Sequence, residues 1–309
     1  MEAPPVIAVL RALHVAAMLS LLGTQACTIV IVRAAPDRLG RTLRRTALAS
    51  GVLALLAGAA WLVLEAGAIA GATTFADLRD ALPVVAAHTR FGRIVTVRLL
   101  LLLLATAAWQ RPVLSLIPAA AAACLQGLIG HAGAGRGAPL LVSEALHLLA
   151  AGLWLGALLP LWLSIRGLPA RPAARACQRF TPLGLGCVLV LAGTGLAQGL
   201  SLIGGMRGVL FSTYGHIALL KAALFLFALV LAACNRLWLT DRMAAETSAA
   251  RRHLLASVAA ETAIGLAIIT AAAFLASSMP GAEQASLTHT THHTARTIGP
   301  ADPATGGLS

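Results

Sequence analysis

This sequence predicts an all-α, polytopic membrane protein of eight transmembrane helices, and three observations carry the prediction. Apolar runs of about 20 residues, the length a helix needs to cross a bilayer, recur from one end of the chain to the other. Only 11% of the 309 residues are charged and 59% are hydrophobic, whereas a soluble domain carries about 25% charged residues. No run alternates polar and apolar residues as a barrel strand would.

The expected spans are 6–32, 46–69, 91–109, 113–130, 140–165, 182–203, 215–239 and 253–277. The first run is too long for a signal-peptide core and lacks a basic leader and an A-x-A exit, so it is expected to be a retained helix. Spans three and four are joined by Gln110-Arg111-Pro112, where the proline opens the next helix. The connection 70–87 is expected to hold a short interfacial helix around residues 75–82. Residues 1–278 form the expected membrane domain. Residues 279–309, rich in Thr, Pro, Gly and Ala, are expected to be a disordered tail.

Charge sets the expected orientation. Arginines crowd the connections after spans one, five and seven (Arg38, Arg41, Arg44 and Arg45; Arg171, Arg175 and Arg179; Arg242, Arg251 and Arg252), and Arg111 follows span three. The alternate connections are poor in them. By the positive-inside rule those four loops are cytoplasmic and both termini are outside. The net charge of +12 is therefore a topology signal. No basic stripe interleaved with aromatics points to nucleic acid, and no Gly-x-x-x-x-Gly-Lys-Ser/Thr loop points to a nucleotide.

The stretch 139–163 carries the strongest functional signal. Glu144 and His147 stand at i and i+3, on one face of a helix otherwise apolar enough to span. Ionisable groups at that depth are costly and mark a functional site. His147 lies about 12 Å below the outer end of its helix, and His14 lies about 12 Å below the outer end of the first. Met18 is one turn from His14 on the same face. His131 ends span four at the outer mouth, and His216 opens span seven on the same side, with Lys221 deeper. Imidazole with thioether suits copper, Cu(I) or Cu(II); imidazole with carboxylate also suits zinc or iron. Glu144 could orient His147 or ligate directly. The candidate metal ligands are thus His14, His131, His147, Glu144, Met18 and His216.

Plainer readings stand beside these. A lone membrane histidine is often an interhelical hydrogen bond, and Met18 alone is more often packing. His88 and His216 lie near the interface, where histidine is comfortable. Glu65 and Glu261 are expected to pair with Lys221, Arg98 or Arg11, and Asn235-Arg236 to anchor its helix to headgroups or carbonyls. Cys27, Cys124, Cys177, Cys187 and Cys234 show no disulfide or CxxC spacing. Cys27, Cys187 and Cys234 lie toward the cytoplasmic ends of their spans, as small packing residues or as soft ligands on a Cu(I) exit. In the tail, His289, His292 and His293 either catch metal or are incidental. Two histidines at equal depth would also suit one b-type haem in an electron-transfer protein, and a copper sensor or scaffold that does not transport remains a further alternative.

Taken together, these blocks resemble the CopD-type copper membrane proteins. The resemblance rests on His14 in its small-residue helix; Gly130-His131-Ala132; residues 139–160 with Glu144, His147 and the Ala-Gly-Leu-Trp-Leu-Gly-Ala-Leu-Leu-Pro ending; Thr213-Tyr214-Gly215 with Lys221; Asn235-Arg236; and Ser257 to Glu261, ending in Met279-Pro280. It implies an eight-span inner-membrane protein of copper homeostasis and resistance that moves copper from periplasm to cytoplasm and is not an enzyme. It also implies a periplasmic partner of the CopC type, expected here as a separate protein.

Overall fold

The computed structural model describes residues 5–33, 36–129, 137–202, 213–235 and 248–275. Those residues are all-helical, without a strand. In chain order the helices are α1 (Pro5–Ala26, continued by a π-helical turn, Cys27–Val32), α2 (Asp37–Ala70), α3 (Phe75–His88), α4 (Arg90–Ala107), α5 (Pro112–Gln126), α6 (Ala138–Gly167), α7 (Ala170–Leu202), α8 (Thr213–Cys234) and α9 (Ser248–Leu275). Among the described residues six helices are long and apolar enough to cross a membrane: α1 with its extension, α2, α6, α7, α8 and α9. Helix α4 coincides with the third expected span but carries Arg90, Arg93 and Arg98 in 18 residues. Helix α5 coincides with the fourth and is 15 residues long. Residues 276–309, which include the expected tail (279–309), lie outside the described residues.

Most boundaries follow local chemistry. Pro112 sits in the first turn of α5, where its missing N–H costs nothing. Helix α3 starts where expected, at a capping box formed by Thr74 and Asp77, and runs on past residue 82 to His88. Helix α7 begins at Ala170 rather than at 182. The arginine-rich stretch ahead of Pro182 buries Ala173, Ala174, Ala176 and Cys177, and that apolar face carries the helix back toward Pro169.

Helix α1 is the hub. It packs on α2, α5, α6 and α9, while α6 packs on α7, α4 on α5 and α8 on α9. The α1–α6 crossing is a backbone contact. A Cβ on Gly156 would lie 1.9 Å from the Leu19 carbonyl oxygen, and one on Gly23 would lie 2.0 Å from the Gly156 carbonyl carbon. Small residues admit such approaches between membrane helices. Alanines with Met18, Leu21, Leu22 and Trp154 form the central core around this crossing. A second core, with Ile31, Leu43, Leu158 and Ile165, fills the end where α6 finishes. The outer surface is apolar: Leu56, Ile117 and Leu189 are all well over half exposed, as lipid-facing side chains would be.

Buried polar groups tie the bundle at fixed points. The Gln25 amide donates to Ser115 Oγ at 2.9 Å, and Ser115 donates to the Ala105 carbonyl at 2.8 Å, bracing the tight α4–α5 corner against α1. Arg251 donates to the carbonyls of Arg166 (2.7 Å) and Leu168 (3.0 Å), a cation on the C-terminal end of α6.

Candidate metal site

Helix α1 presents His14 and Met18, both 0% exposed, on one face. Each His14 nitrogen has a partner that can play only one role. Nδ1 lies 2.7 Å from the Ala54 carbonyl of α2, which only accepts. Nε2 lies 2.7 Å from an Arg98 guanidinium nitrogen of α4, which only donates. His14 is therefore the neutral Nδ1–H tautomer, with its Nε2 lone pair held by Arg98. The same Arg98 nitrogen, Nη2, lies 3.6 Å from Met18 Sδ. Gly58 makes room for the ring, since a Cβ there would fall 2.5 Å from His14 Nδ1.

Arg98 is itself 0% exposed, and its Nε and Nη1 have no hydrogen-bond partner. Its guanidinium carbon stands 6.0 Å from the Trp61 ring centroid, and that of Arg11 stands 5.4 Å from the same ring. A cation over an indole face is stabilised by the ring quadrupole. The Trp61 indole N–H donates to Glu65 at 3.1 Å. Glu65, expected in an ion pair, is thus held by an indole, with Arg11 within electrostatic range.

Helix α6 carries the other half. Glu144 and His147 are both half-buried. The Thr194 hydroxyl of α7 donates its one hydrogen to the Val190 carbonyl at 2.6 Å, so its oxygen accepts from His147 Nδ1–H at 2.8 Å. This gives the opposite availability to that of His14: among the described residues no hydrogen-bond partner meets Nε2 of His147. Glu144 lies within electrostatic range of Arg11 on α1 and Lys221 on α8, and His147 within range of Lys221. Gly127 leaves space for the Glu144 side chain, 2.6 Å from where its own Cβ would be. A crevice of about 240 Å³ between the start of α6 and the end of α7 is lined by Ser143 and Ser201, and the buried Ser143 hydroxyl oxygen has no partner.

His216 is exposed in the first turn of α8. His131 lies outside the described residues. Among the described residues, no three His, Cys, Asp or Glu side chains converge in a metal-holding group. One other expectation is corrected. Glu261 takes its hydrogen bond from the Asn235 amide rather than from a lysine or arginine. Asn235 therefore ties α8 to α9 through that carboxylate. Both residues are buried, and an amide satisfies a buried carboxylate without bringing a second charge out of water.

The chain matches two family models. One, described as copper resistance protein D-like, N-terminal domain, covers residues 1–141. The other, copper resistance protein D, covers residues 174–275. This chain belongs to the CopD-type copper resistance family. His14, Met18, Arg98 and His131 fall inside the first match and His216 inside the second, while Glu144 and His147 lie between them. The chain is similar to the inner membrane protein YebZ of Escherichia coli (strain K12), 32% identical over 158 residues, 49% of this chain and 54% of that protein. It is also similar to the copper transport protein CutJ of Bacillus subtilis (strain 168), 33% identical over 145 residues, 45% of this chain and 26% of that protein. The matches thus span about half of the first relative and a quarter of the second. No solved structure matches. The apolar helices and these relatives make this CopD-type chain a multi-pass protein of the inner membrane.

Arg98, Trp61 and Thr194 carry the site's geometry, and sequence reasoning gave none of them that role. A depth signal existed for the first. Arg98 follows Arg90 by about 12 Å of helix rise, the depth assigned to His14.

Proposed function

We propose that this chain is a copper carrier of eight spans with both termini periplasmic. It takes copper ions from the periplasm into the outer half of the bilayer and passes them toward the cytoplasm, without an enzymatic step of its own. The family membership and the similarity to a copper transport protein support the cargo. The observation that carries the site is His147: its Nδ1 is committed to Thr194, so an unspent Nε2 is held in a defined orientation. A neighbour that fixes the tautomer and ring plane in this way is the usual support of a ligating histidine. In this reading His147 is the first ligand, with Glu144 beside it, and His131 and His216 serve the mouth. His14 and Met18 form an inner donor pair. A separate periplasmic copper-binding protein of the CopC type delivers the ion.

The test is copper content of the purified protein together with copper accumulation by cells. Replacing His147 by alanine is expected to lower bound copper and accumulation together. Replacing His131 by alanine is expected to slow accumulation more than it lowers affinity. Unchanged copper content and accumulation in both variants would remove the site.

A further inference from the structure

A basic side chain on a soft donor pair is an unusual arrangement. Arg98 sits where His14 Nε2 and Met18 Sδ converge, and one nitrogen atom, Nη2, touches both. A soft cation bridging the same imidazole and thioether would occupy that position. Among the described residues the guanidinium has no carboxylate bonded to it and its other nitrogens are unpartnered, and it is wholly out of solvent. An arginine placed only for structure would be paired, because an isolated buried charge is costly. Here its partners are a lone pair, a thioether and an indole face.

We infer that Arg98 is a tethered cation that fills the His14–Met18 seat when copper is absent, so that a copper ion and the guanidinium are alternative occupants. The inference rests on the copper reading above and adds its regulation. Two like charges cannot share the seat, so copper arrives only as Arg98 leaves. The exchange swaps one monovalent cation, the guanidinium, for another, Cu(I), and so leaves the charge at the seat unchanged. The displaced guanidinium stays near the Trp61 ring, which it already lies over on the same ring as Arg11, with the Glu65 carboxylate bonded to the indole edge to balance the two cations. Neutral His14 suits this role, since both its hydrogen bonds persist without any proton change until the ion takes Nε2. The apparent affinity of such a seat is the intrinsic affinity reduced by the fraction of time it stands open. A seat filled nine-tenths of the time binds about tenfold more weakly than an open one.

The test uses the full chain in detergent, loaded anaerobically with Cu(I) against a chromophoric chelator, with X-ray absorption to identify the donor atoms. Arg98→Gln is expected to bind Cu(I) about tenfold more tightly than the unaltered protein, with a sulfur donor that disappears in Arg98→Gln/Met18→Leu. Arg98→Lys, still cationic, is expected to stay near the unaltered affinity. Should Arg98→Gln fail to fold, Met18→Leu alone decides: a nearly isosteric change that loses sulfur donation and weakens binding supports the seat, and unchanged binding overturns it. If the unaltered protein binds copper and Arg98→Gln binds it no more tightly, or more tightly without sulfur, the inference is overturned and the copper reading stands. If neither binds copper, both are overturned.

Discussion

Two histidines placed by the sequence at one depth turn out to be opposites. His14 is sealed, with a carbonyl on one nitrogen and a guanidinium on the other. His147 is half-buried, with one nitrogen fixed by a threonine and the other unspent. Residue type and depth were the same, so the difference lies in the neighbours. Helix α2 brings the Ala54 carbonyl onto His14 and leaves room for the ring at Gly58, and α4 brings Arg98. Helix α6 offers His147 to a single hydroxyl of α7. The comparison separates a donor that is ready from one that must be uncovered.

The tightest helix contact in the bundle is the α1–α6 crossing, and breaking it has the largest expected effect. Gly156→Leu puts a side chain into the Leu19 carbonyl. It is expected to cost more than about 3 kcal/mol, since overpacking against backbone cannot relax by rotamer change. Loss of monodisperse protein on size exclusion, with a lowered melting temperature, is the measurement. A folded, stable variant would mean that the helices do not touch there.

The two histidines should also differ in what they contribute to stability. His14→Ala strands a buried guanidinium and is expected to cost about 3 kcal/mol. His147→Ala removes one half-buried neutral hydrogen bond and is expected to cost about 1 kcal/mol. Thermal unfolding of both variants in the same detergent checks the ratio, and equal losses would erase the distinction between them.

Thr194→Val keeps shape and removes the acceptor. It is expected to lower copper affinity about 10- to 100-fold, as loss of an orienting neighbour does, with little change in melting temperature. Unchanged Cu(I) competition would mean that ring orientation is set elsewhere.

The smallest effect lies outside both histidine regions and serves as a reference. Thr74→Ala removes the cap of α3 and is expected to cost about 1 kcal/mol locally. Hydrogen bonds from Thr74 and then Thr73 hold the exposed Asp77 carboxyl below the ordinary carboxylate range. A depressed carboxylate stabilises the fold above its unfolded value and loses that contribution as pH falls through the folded one. Amide protection at the start of α3, measured relative to intrinsic exchange at each pH, should therefore fall in acid and stay level between pH 6 and about 8, with copper binding unaffected by the variant.

Much of this was legible in the residues and some was not, for physical reasons. Some helix ends were readable because Pro112 and the Thr74–Asp77 box are local signals, whereas the arginine-rich stretches expected to be loops are helical at the starts of α2 and α7. Which way a helix faces was readable only where polar residues mark a face, as His14 and Met18 do one turn apart. Helix α6 is apolar nearly all round, and such a helix carries no phase in its sequence. Nothing local therefore said that His147 would meet Thr194. Arg98 was visible as a charge at depth, but its expected partner was a carboxylate. The bond it makes instead, to a neutral imidazole and a thioether, can be seen only once α1, α2 and α4 are packed.

The central claim is that His147 is the ready copper donor of this bundle, and metal analysis tests it most directly. Purified protein is loaded with copper, desalted and measured for copper per chain, with His147→Ala beside it. The account predicts stoichiometric copper in the unaltered protein and a clear loss in His147→Ala. Equal copper in the two would contradict it.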